Sequence, residues 1–150
     1  EKILGELIAN GKAISCNRQY RINNSVAKGT RFQEIYGKNM LCGFNTYFDK
    51  KCKSVTTKNY SNTIDLITKC YNKFNKQGEL LNISITPVYL QQCLSIMELK
   101  LNLKLVQADE KERIRQEKVK LKEQERLLEE IAKEREKLAK SLSVETNSTD

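Results

Sequence analysis

Apolar residues at Ile3, Leu4, Leu7 and Ile8 recur at helical spacing and stop at Asn10-Gly11, predicting a helix closed by a left-handed residue. Around Tyr20 and Ile22 the residues suit extended backbone, and Asn23-Asn24-Ser25 is a turn signal, so a short hairpin or paired extended segments are expected there. Phe32, Ile35, Tyr36, Met40, Phe44 and Tyr47 or Phe48 fall on one helical stripe, weakened by Gly37 and Gly43. A clearer helix runs over "SNTIDLITKCYNKFNKQG", with Asn62 as cap and Asp65 three residues on. Its stripe is Ile64, Ile67, Cys70/Tyr71 and Phe74, and Gly78 stands at the C-terminal cap. "LLNISI" reads as a linker or short strand, after which Thr86-Pro87 opens the last helix.

That last helix changes character along its length. Leu90, Leu94, Met97, Leu101, Leu105 and Ala108 form a stripe to bury, and beyond Ala108 the stripe thins. A heptad traced from Ile114 places Leu121, Leu128, Arg135 and Leu142 at one seam position. The other position holds Glu117, Gln124, Ile131 and Leu138, so only the later turns resemble a coiled coil. The acid-before-base spacings Asp109–Arg113, Glu129–Lys133 and Glu136–Lys140 support a helix with little to bury. With no Gly or Pro after Pro87, the helix is expected to reach about residue 142. The expected fold is therefore mainly α with a small β element (α+β), a compact helical domain followed by a long charged C-terminal helix. Its boundaries are 1–106 for a basic globular domain including the first part of the long helix, 107–142 for a charged helical arm or partial coiled coil, and 143–150 for a disordered tail or linker.

Charge sharpens this division. Of the net +8, all is carried by residues 1–86, with 14 Lys/Arg against 6 Asp/Glu, while residues 87–150 hold 13 of each sign. Every aromatic residue lies at or before Tyr89. The chain starts at Glu1 rather than Met, so it is expected to be a piece of a longer protein. No apolar run approaches the roughly 18 residues that span a bilayer, so a cytoplasmic location is expected, with any membrane tether supplied by segments not in this sequence. Five cysteines (Cys16, Cys42, Cys52, Cys70, Cys93) at wide spacing, with no C-x-x-C pair and no histidine, suit neither a disulfide framework nor a zinc site. They are expected to be reduced and mostly buried.

Absence of histidine excludes Cys–His and Ser–His nucleophilic chemistry within this chain, and no phosphate-binding glycine pattern occurs. No catalytic residue, metal ligand or cofactor is expected. The candidate chemistry is cationic: Arg18, Tyr20 and Arg21 in "NRQYR", Lys28 and Arg31 in "KGTR", and Lys50, Lys51 and Lys53 in "DKKCK". Cations beside a stacking ring suit nucleic acid, the charges on phosphates and the ring on a base face. Scattered surface lysines with Tyr20 in the core remain the plainer alternative. For the charged arm, a solitary spacer helix stands beside chain pairing through Ile114, Leu121, Leu128, Ile131 and Leu138.

In order and spacing, "ISCNRQYRINNSVAKG", "FNTYFD" and "FNKQGELLNISITPVYL", running into "DEKERIRQEK", resemble an uncharacterised bacterial and phage domain family found upstream of GIY-YIG-like nuclease domains. The resemblance spans about Gly11 to Ser141. It is carried by Cys16-Asn17, Asn24-Ser25 with Gly29, Phe44-Asn45 with Asp49, Ile83-Ser84-Ile85 and Tyr89-Leu90. Tyr20 stands where the family pattern has Trp, and Cys93 and Ile96 replace charged residues. The resemblance implies a non-catalytic module of a nuclease in a phage or anti-phage setting. The catalytic domain is expected later in the same polypeptide, and the partners are DNA, a second copy, or a phage or host protein.

Overall fold

The computed structural model describes residues 2–148. In chain order the elements are α1 (Lys2–Ala9), β1 (Ile14–Cys16), α2 (Val26–Ser54), α3 (Tyr60–Gly78), a 3-10 turn (Glu79–Leu81), β2 (Ile83–Ile85) and α4 (Pro87–Asn147). The chain is mainly α with one small antiparallel sheet, and it divides into two compact units, Glu1–Lys104 and Leu105–Asp150.

In the first unit, β1 and β2 pair in the register Ile14↔Ile85, Ser15↔Ser84 and Cys16↔Ile83. The ladder continues through Asn17 N–H to Asn82 O at 2.7 Å and Thr86 N–H to Ala13 O at 2.9 Å. The far edge of β2 is closed by Asn75 of α3, whose amide accepts from Ile85 N–H at 2.7 Å and donates to Ile85 O at 3.2 Å. An amide side chain thus takes the place of a third strand, since unpaired backbone groups at this depth are costly. Gly78, the last residue of α3, lies so close to the Ile83 carbonyl that a Cβ there would overlap it. Its φ is −68°, so its role is close approach, and the left-handed residue that ends the 3-10 turn is Asn82 at φ 56°.

Helices α2, α3 and the start of α4 close over a core of Met40, Leu41, Phe44, Phe48, Ile67, Ile83, Ile85, Tyr89 and Met97. Phe44 meets Tyr71 and Tyr89 edge-on, with ring centroids 6.3 Å apart in both pairs. Tyr89 donates its hydroxyl to Asn45 Oδ1 at 2.6 Å, and burial pushes that phenol up to about 12. Thr86 opens α4 as expected: its hydroxyl accepts from Tyr89 N–H at 3.3 Å and donates to Lys12 O at 2.6 Å. Lys104 ends the unit by donating to the carbonyls of Cys52, Lys53 and Val55 at 3.0, 2.9 and 3.2 Å. Its ammonium caps the C-terminus of α2, where unpaired carbonyls concentrate partial negative charge.

Several expectations shift. The strand preceding α2 is Ile14–Cys16 rather than the segment near Tyr20, while Asn23 and Asn24 do form the turn, at φ 50° and 62°, bridged by Ile22 and Ser25. The buried stripe of α2 begins Gly29, Gln33 and Gly37, whereas Phe32 and Ile35 are half exposed. Helix α3 starts at Tyr60, leaving Asn62 inside the helix; Asn59 organises the preceding turn, accepting from Thr56 N–H at 2.7 Å and donating to Ser54 O at 3.0 Å. All five cysteines are free, but only Cys52 and Cys93 are buried; Cys70 is intermediate, and Cys16 and Cys42 are exposed.

The second unit is the later part of α4, and its described residues are all exposed. The helix runs on to Asn147, past the end expected at 142, with no Gly or Pro to stop it, and the hydroxyls of Ser143 and Thr146 bond back to Lys140 O and Leu142 O at 2.8 and 3.2 Å. Of the expected tail, residues 149 and 150 lie outside the described residues. Glu136 and Lys140 pair as anticipated, at 2.8 Å. Arg113, however, turns to Glu110 at 2.7 Å and Glu117 at 2.8 Å rather than to Asp109, because three- and four-residue spacings both bring a carboxylate within reach.

Replacing Lys104 by Met should lower unfolding free energy by about 1–2 kcal/mol, near the net worth of hydrogen bonds that are only part-buried or exposed, measured by urea denaturation. Thiol titration of the native chain at pH 8 should modify Cys16 and Cys42 rapidly and spare Cys93. Burial raises the Cys93 thiol to about 12, leaving it protonated at that pH until the chain unfolds.

Candidate nucleic-acid interface

The loop carrying Arg18, Tyr20 and Arg21 lacks regular secondary structure, yet it is fixed from below by two residues of α2. Gln33, 3% exposed, donates from one amide nitrogen to Arg18 O at 2.9 Å and Leu81 O at 2.6 Å. It therefore ties the loop to the turn that leads into β2. One helical turn earlier, Gly29 leaves room for the Tyr20 carbonyl, which a Cβ would overlap. The Asn23-Asn24 turn then reverses the chain, and Ser25 caps α2 by accepting from Lys28 N–H at 3.3 Å.

This anchoring brings Tyr20 against Phe32, with ring centroids 6.4 Å apart and planes inclined by 26°. Tyr20 is partly buried, while Phe32 remains 45% exposed and Ile35, one turn on, 50% exposed. Arg18, Arg21, Lys28 and Arg31 are all exposed on the same loop and on the first turns of α2. No acidic residue lies in the first turn of α2, the place where a carboxylate would complement the positive end of its dipole. The arrangement is an aromatic ledge on a fixed backbone among four cations, suited to phosphate and to a base face.

Lys50, Lys51 and Lys53 lie elsewhere. With 1.5 Å of rise per residue, Lys50 stands about 33 Å along α2 from Lys28. Lys51 places its ammonium over the Tyr47 ring, 5.3 Å from the centroid, and Lys51 and Lys53 occupy the last turn, where cations complement the helix dipole. The eight residues read from sequence thus form two groups, five on the loop and the first turns of α2 and three towards its other end.

Sequence reasoning missed Phe32 as a surface residue and missed Gln33 and Gly29 as its supports. A signal was available: Gly29, Gln33 and Gly37 repeat at four-residue steps and define the buried line once small and amide side chains are admitted. Other concavities lie in this unit, among them the following two. One between α2 and α3 is lined by Tyr47, Leu66, Lys69, Lys73 and Phe74; the other is apolar and lined by Ile8, Ala13, Ile14, Gly37 and Leu41. Among the described residues, no group of three or more Cys, Asp or Glu side chains could hold a metal, and no helix is long and apolar enough to cross a membrane.

The model of the SNIPE associated domain matches residues 3–110, nearly all of the first unit and a few residues beyond it. The chain belongs to that family, a family of accessory domains. No curated protein and no solved structure matches it.

Gly29→Ala should displace the Tyr20 loop while α2 persists. The expected result is unchanged far-ultraviolet circular dichroism with raised amide exchange over residues 17–22. Gln33→Leu should do the same and also lower stability by about 1–3 kcal/mol, since the buried Leu81 carbonyl and the part-buried Arg18 carbonyl lose their donor.

Proposed function

We propose that this domain is a non-catalytic module of a nuclease and that it contacts DNA through the Tyr20–Phe32 ledge and its four cations. The observation that carries the reading is the exposed Phe32 ring, stacked on Tyr20 and held by Gln33 and Gly29 among Arg18, Arg21, Lys28 and Arg31. The exposed Phe32 ring offers a stacking face beside exposed cations, and that combination suits an anionic partner with flat apolar faces. The nuclease association rests on the resemblance to domains that precede GIY-YIG-like nucleases and on the family's accessory character. Lys50, Lys51 and Lys53 provide a second contact: about 33 Å along α2 matches roughly ten base pairs of duplex at 3.4 Å each.

A second reading is favoured by α4. Ile114, Leu121, Leu128, Ile131 and Leu138 are between 40% and 66% exposed, along a helix that buries nothing after Leu101 among its described residues. On this reading the later part of α4 joins chains together.

Binding to a fluorescent duplex and to the corresponding single strand, each at two salt concentrations, tests the first reading. The combined Arg18→Ala, Arg21→Ala, Arg31→Ala variant should weaken binding and reduce the log–log salt slope by about 2–3, near 0.9 per lost phosphate contact. Phe32→Ala should weaken single-strand binding by about 1–3 kcal/mol and leave the salt slope intact. Equal binding by wild type and the triple variant at low salt sinks the DNA reading.

A further inference from the structure

The seam on the second unit contains one residue that its own helix does not explain. Arg135 has Ile131 and Ala132 one turn before it and Leu138 and Ala139 one turn after, so no carboxylate stands at the spacings that make ion pairs along a helix. It sits in the middle of the most apolar part of the seam. At the other end, Glu117 occupies the alternate seam position between Ile114 and Leu121. Glu117 has an intrahelical partner in Arg113, at 2.8 Å.

We infer that two copies of α4 pair antiparallel over residues 110–142, with Glu117 of each copy opposite Arg135 of the other. The inference rests on the chain-pairing reading and specifies its geometry. In a parallel pair every seam residue meets its own counterpart, which sets Glu117 against Glu117 and Arg135 against Arg135 inside the interface. An antiparallel pair centred near Arg126 has a different set of layers. Ile114 meets Leu138, Glu117 meets Arg135, Leu121 meets Ile131, Gln124 meets Leu128, and Glu110 meets Leu142. Sliding the partner by one heptad in one direction leaves Arg135 opposite Glu110 but sets Glu117 against Leu128, and in the other sets Glu117 against Leu142 and Arg135 against Gln124, so only the stated register pairs Glu117 with Arg135.

Flanking positions favour the same register. Lys120 comes beside Glu134 of the second copy, and Leu127, 47% exposed, meets its own counterpart at the centre. Two unfavourable contacts arise, Glu110 against Leu142 at the end of the seam and Glu125 beside Glu125 at the rim, both where water and salt reach the charge. Charge complementarity also selects a second copy as the occupant: both signs are spread along this helix, so it complements itself, whereas a uniformly charged helix would repel its copy.

Sedimentation equilibrium of the whole chain tests this. Wild type should dimerise reversibly. Glu117→Arg and Arg135→Glu should each raise the dissociation constant by about tenfold or more, and the double exchange should return it to near the wild-type value, the signature of a coupled pair. Circular dichroism of each variant separates a pairing defect from a melted helix, because both side chains are solvent-facing in the single chain. A parallel pair predicts no weakening by either single change, since each replaces one like-charge layer with another. A dimer indifferent to both single changes therefore overturns the antiparallel register while leaving chain pairing standing. A chain that stays monomeric at high micromolar concentration overturns the pairing reading and this inference together.

Discussion

Strand β2 must be hydrogen-bonded on two sides, and the first unit is arranged around that requirement. One side takes β1, the other takes the Asn75 amide, and Gly78 abuts the Ile83 carbonyl without a side chain between them. A pair of three-residue strands is too short to be stable alone. It persists because Ile83 and Ile85 are buried beneath the helices and because the polar groups beside them are satisfied by α3. Leu81, two residues earlier, passes its carbonyl to Gln33, and Gln33 passes the same amide on to Arg18. The cationic loop is therefore positioned by a chain of contacts that begins at the buried strand. A surface loop with so little structure of its own gains a defined shape from a core that it barely enters.

How much of this was legible varies with the range of the interaction. Local signals were read correctly where one or two residues decide the outcome. Asn23-Asn24 tolerate the left-handed region, Thr86-Pro87 provides a cap and a fixed φ, and the Asn10-Gly11 ending of α1 is borne out by Gly11 at φ 69°. Errors arose where a distant partner decides. Ile14–Cys16 is strand because Ile83–Ile85 pairs with it across most of the unit's sequence, and nothing in "ISC" announces that. Phe32 and Ile35 had the hydrophobicity of core residues, but Gln33 won the buried position because two carbonyls far along the chain require its amide. Gly37 and Gly43 counted against α2 on intrinsic propensity, yet they face the Ile14 side chain and the Phe74 ring, and packing against these outweighs the cost in the helix.

The candidate site was half legible for a related reason. All eight residues were chosen for charge or stacking and read as one face, whereas Arg18, Tyr20, Arg21, Lys28 and Arg31 stand on the loop and first turns of α2 and Lys50, Lys51 and Lys53 towards its other end. The length of α2 separated the other three. A reader who shortens that helix at its glycines brings Lys50 closer to Lys28 than 29 residues of continuous helix allow.

Helix α4 shows how one element can serve two environments. Up to Leu101 it is held by burial, with Tyr89, Cys93, Met97 and Leu101 against the core; from Leu105 onward it has ion pairs and good intrinsic propensity alone. A helix supported only in that way remains sensitive to whatever covers its apolar seam, so pairing and helicity are thermodynamically linked. Orientation then bears on the charge of the first unit, residues 1–104, which carries 16 Lys/Arg against 7 Asp/Glu. A parallel pair would bring the residue-105 ends of both copies to the same end of the seam, gathering two strongly cationic chains. An antiparallel pair starts them at opposite ends of a seam of 33 residues, about 50 Å at 1.5 Å per residue. The repulsion that opposes assembly is smaller in the second case. The seam's own charges and the net charge of the residues before it therefore favour the same orientation, although they act over different distances.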